Sequence, residues 1–149
     1  MSTKQYATLG ERMQTRTLAN GLRVCYLPKE GFSKTFAILA ANFGSVDASF
    51  TFEGKRYDTP AGVAHFLEHK MFENEDGDAF ALYAKTGANA NAYTGFDRTS
   101  YVFTATSRVP ENLDILLSFV SRPYFTKETI EKEQGIIGEE IKIDDASPE

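Results

Sequence analysis

The chain has 149 residues, 42% of them apolar and 13% aromatic, a balance that suits a folded globular domain and excludes a disordered tail or a membrane protein. Sixteen Lys and Arg against twenty-one Asp and Glu leave a net charge of −5, so no basic surface for tracking a nucleic-acid backbone is indicated. The excess sits at the end of the chain, where residues 127–149 hold eight acids and three bases.

A single cysteine, Cys25, leaves no intrachain disulfide partner, and the polar start Met1-Ser2-Thr3-Lys4-Gln5 lacks the apolar stretch of a secretory signal; a cytoplasmic protein is expected. Between Gln14 and Leu27 an apolar-polar alternation breaks at Ala19-Asn20-Gly21, which predicts a hairpin with Cys25 as a small core residue of its second strand. Phe36–Gly44 reads as a buried strand, its apolar run far short of the roughly 20 residues that cross a bilayer. Ser45–Asp58 reads as a loop, and Thr59 and Pro60 as the cap and first turn of a helix containing Val63–Phe72.

A helix over Asp78–Lys85 should stop at Gly87, and Asn91–Thr94 with Thr99–Thr106 should form a hairpin around Gly95-Phe96-Asp97-Arg98. Pro110 opens a helix whose Leu113, Leu116, Leu117 and Val120 recur at helical spacing as core, ended by Arg122-Pro123. Thr126 should cap the last helix, with Ile130, Ile137 and Ile141 as its apolar positions. Gly135 and Gly138 interrupt it, each at a cost of roughly 1 kcal/mol relative to Ala, which predicts close packing there. No repeat, low-complexity tract or interdomain linker is present, so one domain over residues 1–149 is expected.

Both histidines of the chain fall in His65-Phe66-Leu67-Glu68-His69 on the predicted first helix. Residues four apart share one helix face, so two imidazole nitrogens can address one ion, and zinc suits such a pair. Glu68 flanks the pair, placed to reach a bound water without having to ligate. The order is the reverse of H-E-x-x-H, as in inverzincins. A catalytic zinc generally takes a third protein ligand, and Glu133 and Glu140, seven residues apart and so on one helix face, both qualify; Glu139 points roughly 100° away.

Gly62-Val63-Ala64 before the motif, then Gly87-Ala88, Asn91-Ala92-Tyr93-Thr94, Thr99-Ser100-Tyr101 and Glu133 with Glu140-Ile141 complete a pattern that covers most of the chain in order. It resembles the pitrilysin and insulin-degrading-enzyme family of zinc peptidases, in wording closest to the bacterial processing-peptidase-like branch, although many relatives carry Met or Leu at the place of Lys70. The resemblance implies an α+β fold, an antiparallel β-sheet with helices packed mainly on one face. It further implies zinc held by His65, His69 and Glu140, with Glu68 as general base and Glu133 as a supporting carboxylate. The strand bearing Asn91, Ala92 and Thr94 would pair with an extended peptide substrate.

Family members are several times longer, so the resemblance implies that this chain is the N-terminal catalytic-type domain of a longer peptidase, whose chamber a C-terminal half or a homologous partner subunit completes. The isolated piece is then expected to bind zinc and cleave peptides poorly. The alternative reading is a non-catalytic peptide-binding or assembly subunit, against which the intact motif and both acidic residues argue. A lyase using the same reversed motif would pair the metal with a reactive cysteine, a role that Cys25 in a core strand does not suit.

Overall fold

A computed structural model describes residues 2–75 and 77–146, with the side chains of Ile141 and of residues 143–146 outside the description; the apolar position expected at Ile141 therefore lies outside the described residues. The chain divides into two compact units, Met1–Ser33 and Lys34–Glu149. In the first, strands β1 (Ser2–Tyr6), β2 (Glu11–Thr17) and β3 (Arg23–Tyr26) form an antiparallel sheet in the order β1-β2-β3. The expected β2–β3 hairpin is present, its turn closed by Gly21 at φ +86° and by the Leu22 amide donating to Asn20 Oδ1 at 3.1 Å. β1 carries no alternation signal in Ser2–Tyr6 and pairs with β2 through its backbone, from Ser2 against Thr15 to Tyr6 against Glu11. Cys25 lies in β3 but is exposed, not core: this unit has no α-helix of its own to cover a sheet face, and none of its described residues is buried.

The second unit contains, in chain order, β4 (Thr35–Ala41), β5 (Ser49–Phe52), β6 (Lys55–Asp58), α1 (Val63–Lys70), β7 (Glu73–Asn74) and β8 (Gly77–Asp78). It continues with α2 (Ala79–Thr86), β9 (Asn89–Thr94), β10 (Thr99–Ala105), α3 (Val109–Ser121) and α4 (Lys127–Ala146). The main sheet runs β4-β10-β9, antiparallel throughout. Ala37 and Leu39 of β4, Ala90 and Ala92 of β9 and Tyr101 and Phe103 of β10 share one face, because side chains alternate along a strand. That face packs on Phe72, on Ala79 and Tyr83 of α2, and on Leu116 and Phe119 of α3, and these residues form the core. The fold is thus α+β, with its helices on one face of an antiparallel sheet.

Several local expectations are corrected. β4 is half-buried: Phe36 and Ile38 on its outer face are 60% and 48% exposed, because the helices cover only the other face. The presumed loop Ser45–Asp58 contains the β5–β6 hairpin, whose turn places Glu53 and Gly54 at φ +50° and +76°; its Phe50 and Tyr57 rings stack 5.5 Å apart. Helix α1 begins at Val63 with Gly62 as its N-cap at φ +83°, a left-handed conformation that glycine adopts without strain, and ends at Lys70. Thr59 does not cap it, since its hydroxyl donates to the carbonyls of Asp47 and Ala48 at 3.3 Å.

In α3, Asn112, Leu116 and Phe119 are the buried residues, whereas Leu113 and Leu117 are 41% and 38% exposed. A Cβ added at Gly135 or Gly138 would meet no atom within 4 Å, so these glycines mark no close packing among the described residues. The close approach lies instead at Gly44, where a Cβ would collide with the backbone of Gly95, Phe96 and Arg98. Among the described residues, no helix is long and apolar enough to cross a membrane.

Candidate metal centre

α1 and α4 supply the titratable side chains that converge. On α1, His65 and His69 stand one turn apart with ring centroids 4.6 Å from each other. α4 is anchored by a reciprocal cap: the Thr129 amide donates to Thr126 Oγ1 and the Thr126 amide to Thr129 Oγ1, both at 3.1 Å. From that start, the seven-residue spacing brings both Glu133 and Glu140 to α1.

Glu133 is 11% exposed at its side chain, and its Oε1 lies 2.9 Å from His69 Nδ1. A carboxylate accepts, so Nδ1 carries the hydrogen and leaves the lone pair on Nε2. That Nε2 and His65 Nε2 each lie 3.8 Å from Glu140 Oε2, and ligand atoms of His65, His69 and Glu140 all fall within 4.8 Å of one another. Two ligands at zinc distances, set at a tetrahedral angle, would be about 3.4 Å apart. The three groups therefore fit one zinc ion after small side-chain adjustments. Glu139 faces elsewhere and accepts from Lys142 at 2.6 Å.

Glu68 is held from the sheet side, where Thr94 Oγ1 donates to its Oε2 at 2.6 Å. Tyr101 donates to the Leu67 carbonyl at 3.4 Å, and burial, together with the Glu68 charge, pushes its phenol above the usual range. A cleft of about 460 Å³ opens beside these groups, bounded by Glu68, His69 and Glu133, by the stacked rings of Phe72 and Phe80, and by Asn91 and Ala92. β9 is an edge strand of the main sheet, and its Ala92 amide is occupied by Asn91 Oδ1 at 2.9 Å.

All eight residues singled out in the sequence thus lie on α1, α4 and β9. The bond from Thr94 to Glu68 and the full burial of Lys70 against Glu73 went unread. The period-two pattern of β9, which puts Ala92 and Thr94 on the helix-covered face, carried a signal for the first. Nothing in the local sequence signals the second.

A helix pair that brings ligand atoms of two histidines and a carboxylate within 4.8 Å of one another, beside an exposed sheet edge, forms a candidate metal site on an α+β fold. The insulinase family, peptidase family M16, matches residues 50–149. The chain belongs to that family. It is 49% identical over 147 residues to the uncharacterized zinc protease YmfH of Bacillus subtilis (strain 168), a match covering 97% of this chain and 34% of that protein. It is 30% identical over 135 residues to the mitochondrial-processing peptidase subunit beta of Mus musculus, covering 87% of this chain and 26% of that one. A crystal structure from Alicyclobacillus acidocaldarius, described as an M16-like peptidase, superposes with a TM-score of 0.85 at 43% identity, over 89% of this chain and 31% of that one. The chain therefore spans between a quarter and about a third of the length of these relatives.

Proposed function

We propose that this chain is the metal-bearing part of a zinc metalloendopeptidase that hydrolyses extended peptides. The observation that carries the reading is the convergence of His65, His69 and Glu140 to within 4.8 Å, with Glu68 one residue before His69 on the same helix. His65, His69 and Glu140 would hold zinc. When bound, the ion supplies Lewis acidity, which brings the pKa of a coordinated water toward neutrality and polarises a carbonyl oxygen.

The chain's own residues do the rest. Glu133 fixes the ring and tautomer of His69. Glu68 accepts a proton from water and returns it to the leaving amine. Asn91, Ala92 and Thr94 lie on the edge strand, whose backbone can take up a substrate strand and align it along the cleft; binding there requires Asn91 Oδ1 to release the Ala92 amide. The names of two similar proteins, the mitochondrial-processing peptidase subunit beta and the cytochrome b-c1 complex subunit 1, both describe subunits, which supports a C-terminal half or partner subunit completing the peptide chamber.

Glu68→Gln in the full-length protein tests the reading. Zinc content should stay at the wild-type level while hydrolysis of a quenched fluorescent peptide falls by at least about 100-fold, within the range for loss of a general base. Near-normal turnover by that variant would remove Glu68 from the mechanism. No turnover by the zinc-loaded wild type on any extended peptide would favour a non-catalytic peptide-binding or assembly subunit.

A further inference from the structure

We infer that Thr94 is a positioning residue for Glu68, its hydroxyl being committed to the carboxylate rather than to substrate. The inference rests on the peptidase reading above, but the contact itself is independent of it. Thr94 Oγ1 and Glu68 Oε2 lie 2.6 Å apart, within the range for a hydroxyl donating to an ionised carboxylate.

The contact joins two rigid elements. Thr94 is the last residue of β9 and pairs with Thr99 of β10, so its backbone is fixed by the hairpin register. Its neighbour Gly95 closes the turn by donating to the Arg98 carbonyl at 2.8 Å. A β-branched side chain has few χ1 choices, so fixing this backbone also confines the hydroxyl. Glu68, by contrast, is a flexible side chain on α1, and Oε2 is the oxygen that Thr94 engages. With Oε2 held, Oε1 remains for the proton transfer, and the carboxylate plane is set by the sheet.

Tyr101 makes a second contact between the hairpin and α1 one residue away, at the Leu67 carbonyl, and it lies on the same sheet face as Thr94. The sheet therefore grips α1 at successive residues, once through the main chain and once through the base itself. Glu133 acts on His69 from α4, so the base and this histidine are oriented by different elements, the sheet and α4.

The test uses the zinc-loaded full-length protein and a quenched extended peptide. Thr94→Val keeps the shape and removes the O–H; kcat should fall about 10- to 100-fold with KM and zinc content unchanged, the scale for a misplaced reacting group. Thr94→Ser should restore kcat to within a few-fold. A Thr94→Val rise in KM at unchanged kcat would make Thr94 a substrate contact and overturn the inference, as would unchanged kinetics. The second readout is independent of turnover: a double-mutant cycle of Thr94→Val with Glu68→Ala on the urea midpoint. A double-variant shift that differs from the summed single shifts supports the contact, and additive shifts overturn it. Wild-type inactivity with a non-additive cycle would reject the peptidase reading and leave the contact standing.

Discussion

Replacing Glu133 by Gln removes the charge from the bond to His69 while keeping its length and its acceptor oxygen. The Glu133 side chain is 11% exposed and its oxygen lies 2.9 Å from Nδ1, so solvent screens the bond little. A hydrogen bond to a charged group contributes about 1.5–3 kcal/mol and a neutral one about 0.5–1.5. The difference, about 1–1.5 kcal/mol, corresponds to a roughly 5- to 10-fold weaker zinc affinity if it passes to the lone pair on Nε2. Glu133→Ala loses the bond altogether and should weaken zinc about 10- to 100-fold, the usual effect of removing the partner of a metal-bound histidine. Competition with a chromogenic chelator measures both, with circular dichroism to confirm folding and Glu139→Gln as a control that should change nothing. Wild-type affinity in both Glu133 variants would refute the claim that this carboxylate tunes His69.

Gly44→Ala should destabilise the chain by about 1–3 kcal/mol in urea unfolding, since the added methyl meets backbone that cannot rotate away; a neutral result would show that the turn over Gly95–Arg98 is pliable. Lys70, fully buried with Glu73 at 2.5 Å and beside the Tyr124 and Phe125 rings, should tolerate Met with a change within about 1–2 kcal/mol, because an apolar side chain of similar length avoids burying charge. Lys70→Ala should cost about 2–5 kcal/mol through the cavity it leaves, and equal costs for the two variants would contradict this. Burial raises the phenol pKa of Tyr83 and of Tyr101, so both bind their protons more tightly folded than unfolded. Their contribution to stability is complete below the unfolded value of about 10 and is lost as pH rises from there toward the folded value. Ultraviolet titration of the seven tyrosines should show two that ionise only at higher pH, and uniform ionisation would contradict it.

Elements with a strong local signal were legible in the sequence. Asp78 and Gly87 bound α2, with Asp78 accepting from the Phe80 amide at 2.8 Å, and the turn residues between Thr94 and Thr99 announce the β9–β10 hairpin. The seven-residue spacing of Glu133 and Glu140 brings both to the histidines because α4 runs unbroken past its two glycines. Elements that depend on distant parts of the chain were less legible. β1 is polar and exists through pairing, and β5–β6 rests on a two-residue turn at Glu53-Gly54, where a non-glycine residue takes positive φ. The exposure of Leu113, Leu117 and Cys25 follows from which faces other elements cover, which helical or strand spacing alone does not specify. The same holds for the Thr94–Glu68 bond, which joins residues 26 positions apart.

The central claim is that His65, His69 and Glu140 hold one zinc ion, and zinc content per chain by elemental analysis tests it most directly, after dialysis against metal-free buffer. The wild type should retain close to one zinc, Glu140→Gln should retain much less, and Glu139→Gln should match the wild type. Undiminished zinc in Glu140→Gln, or none in a folded wild type even after zinc is added back, would contradict the account.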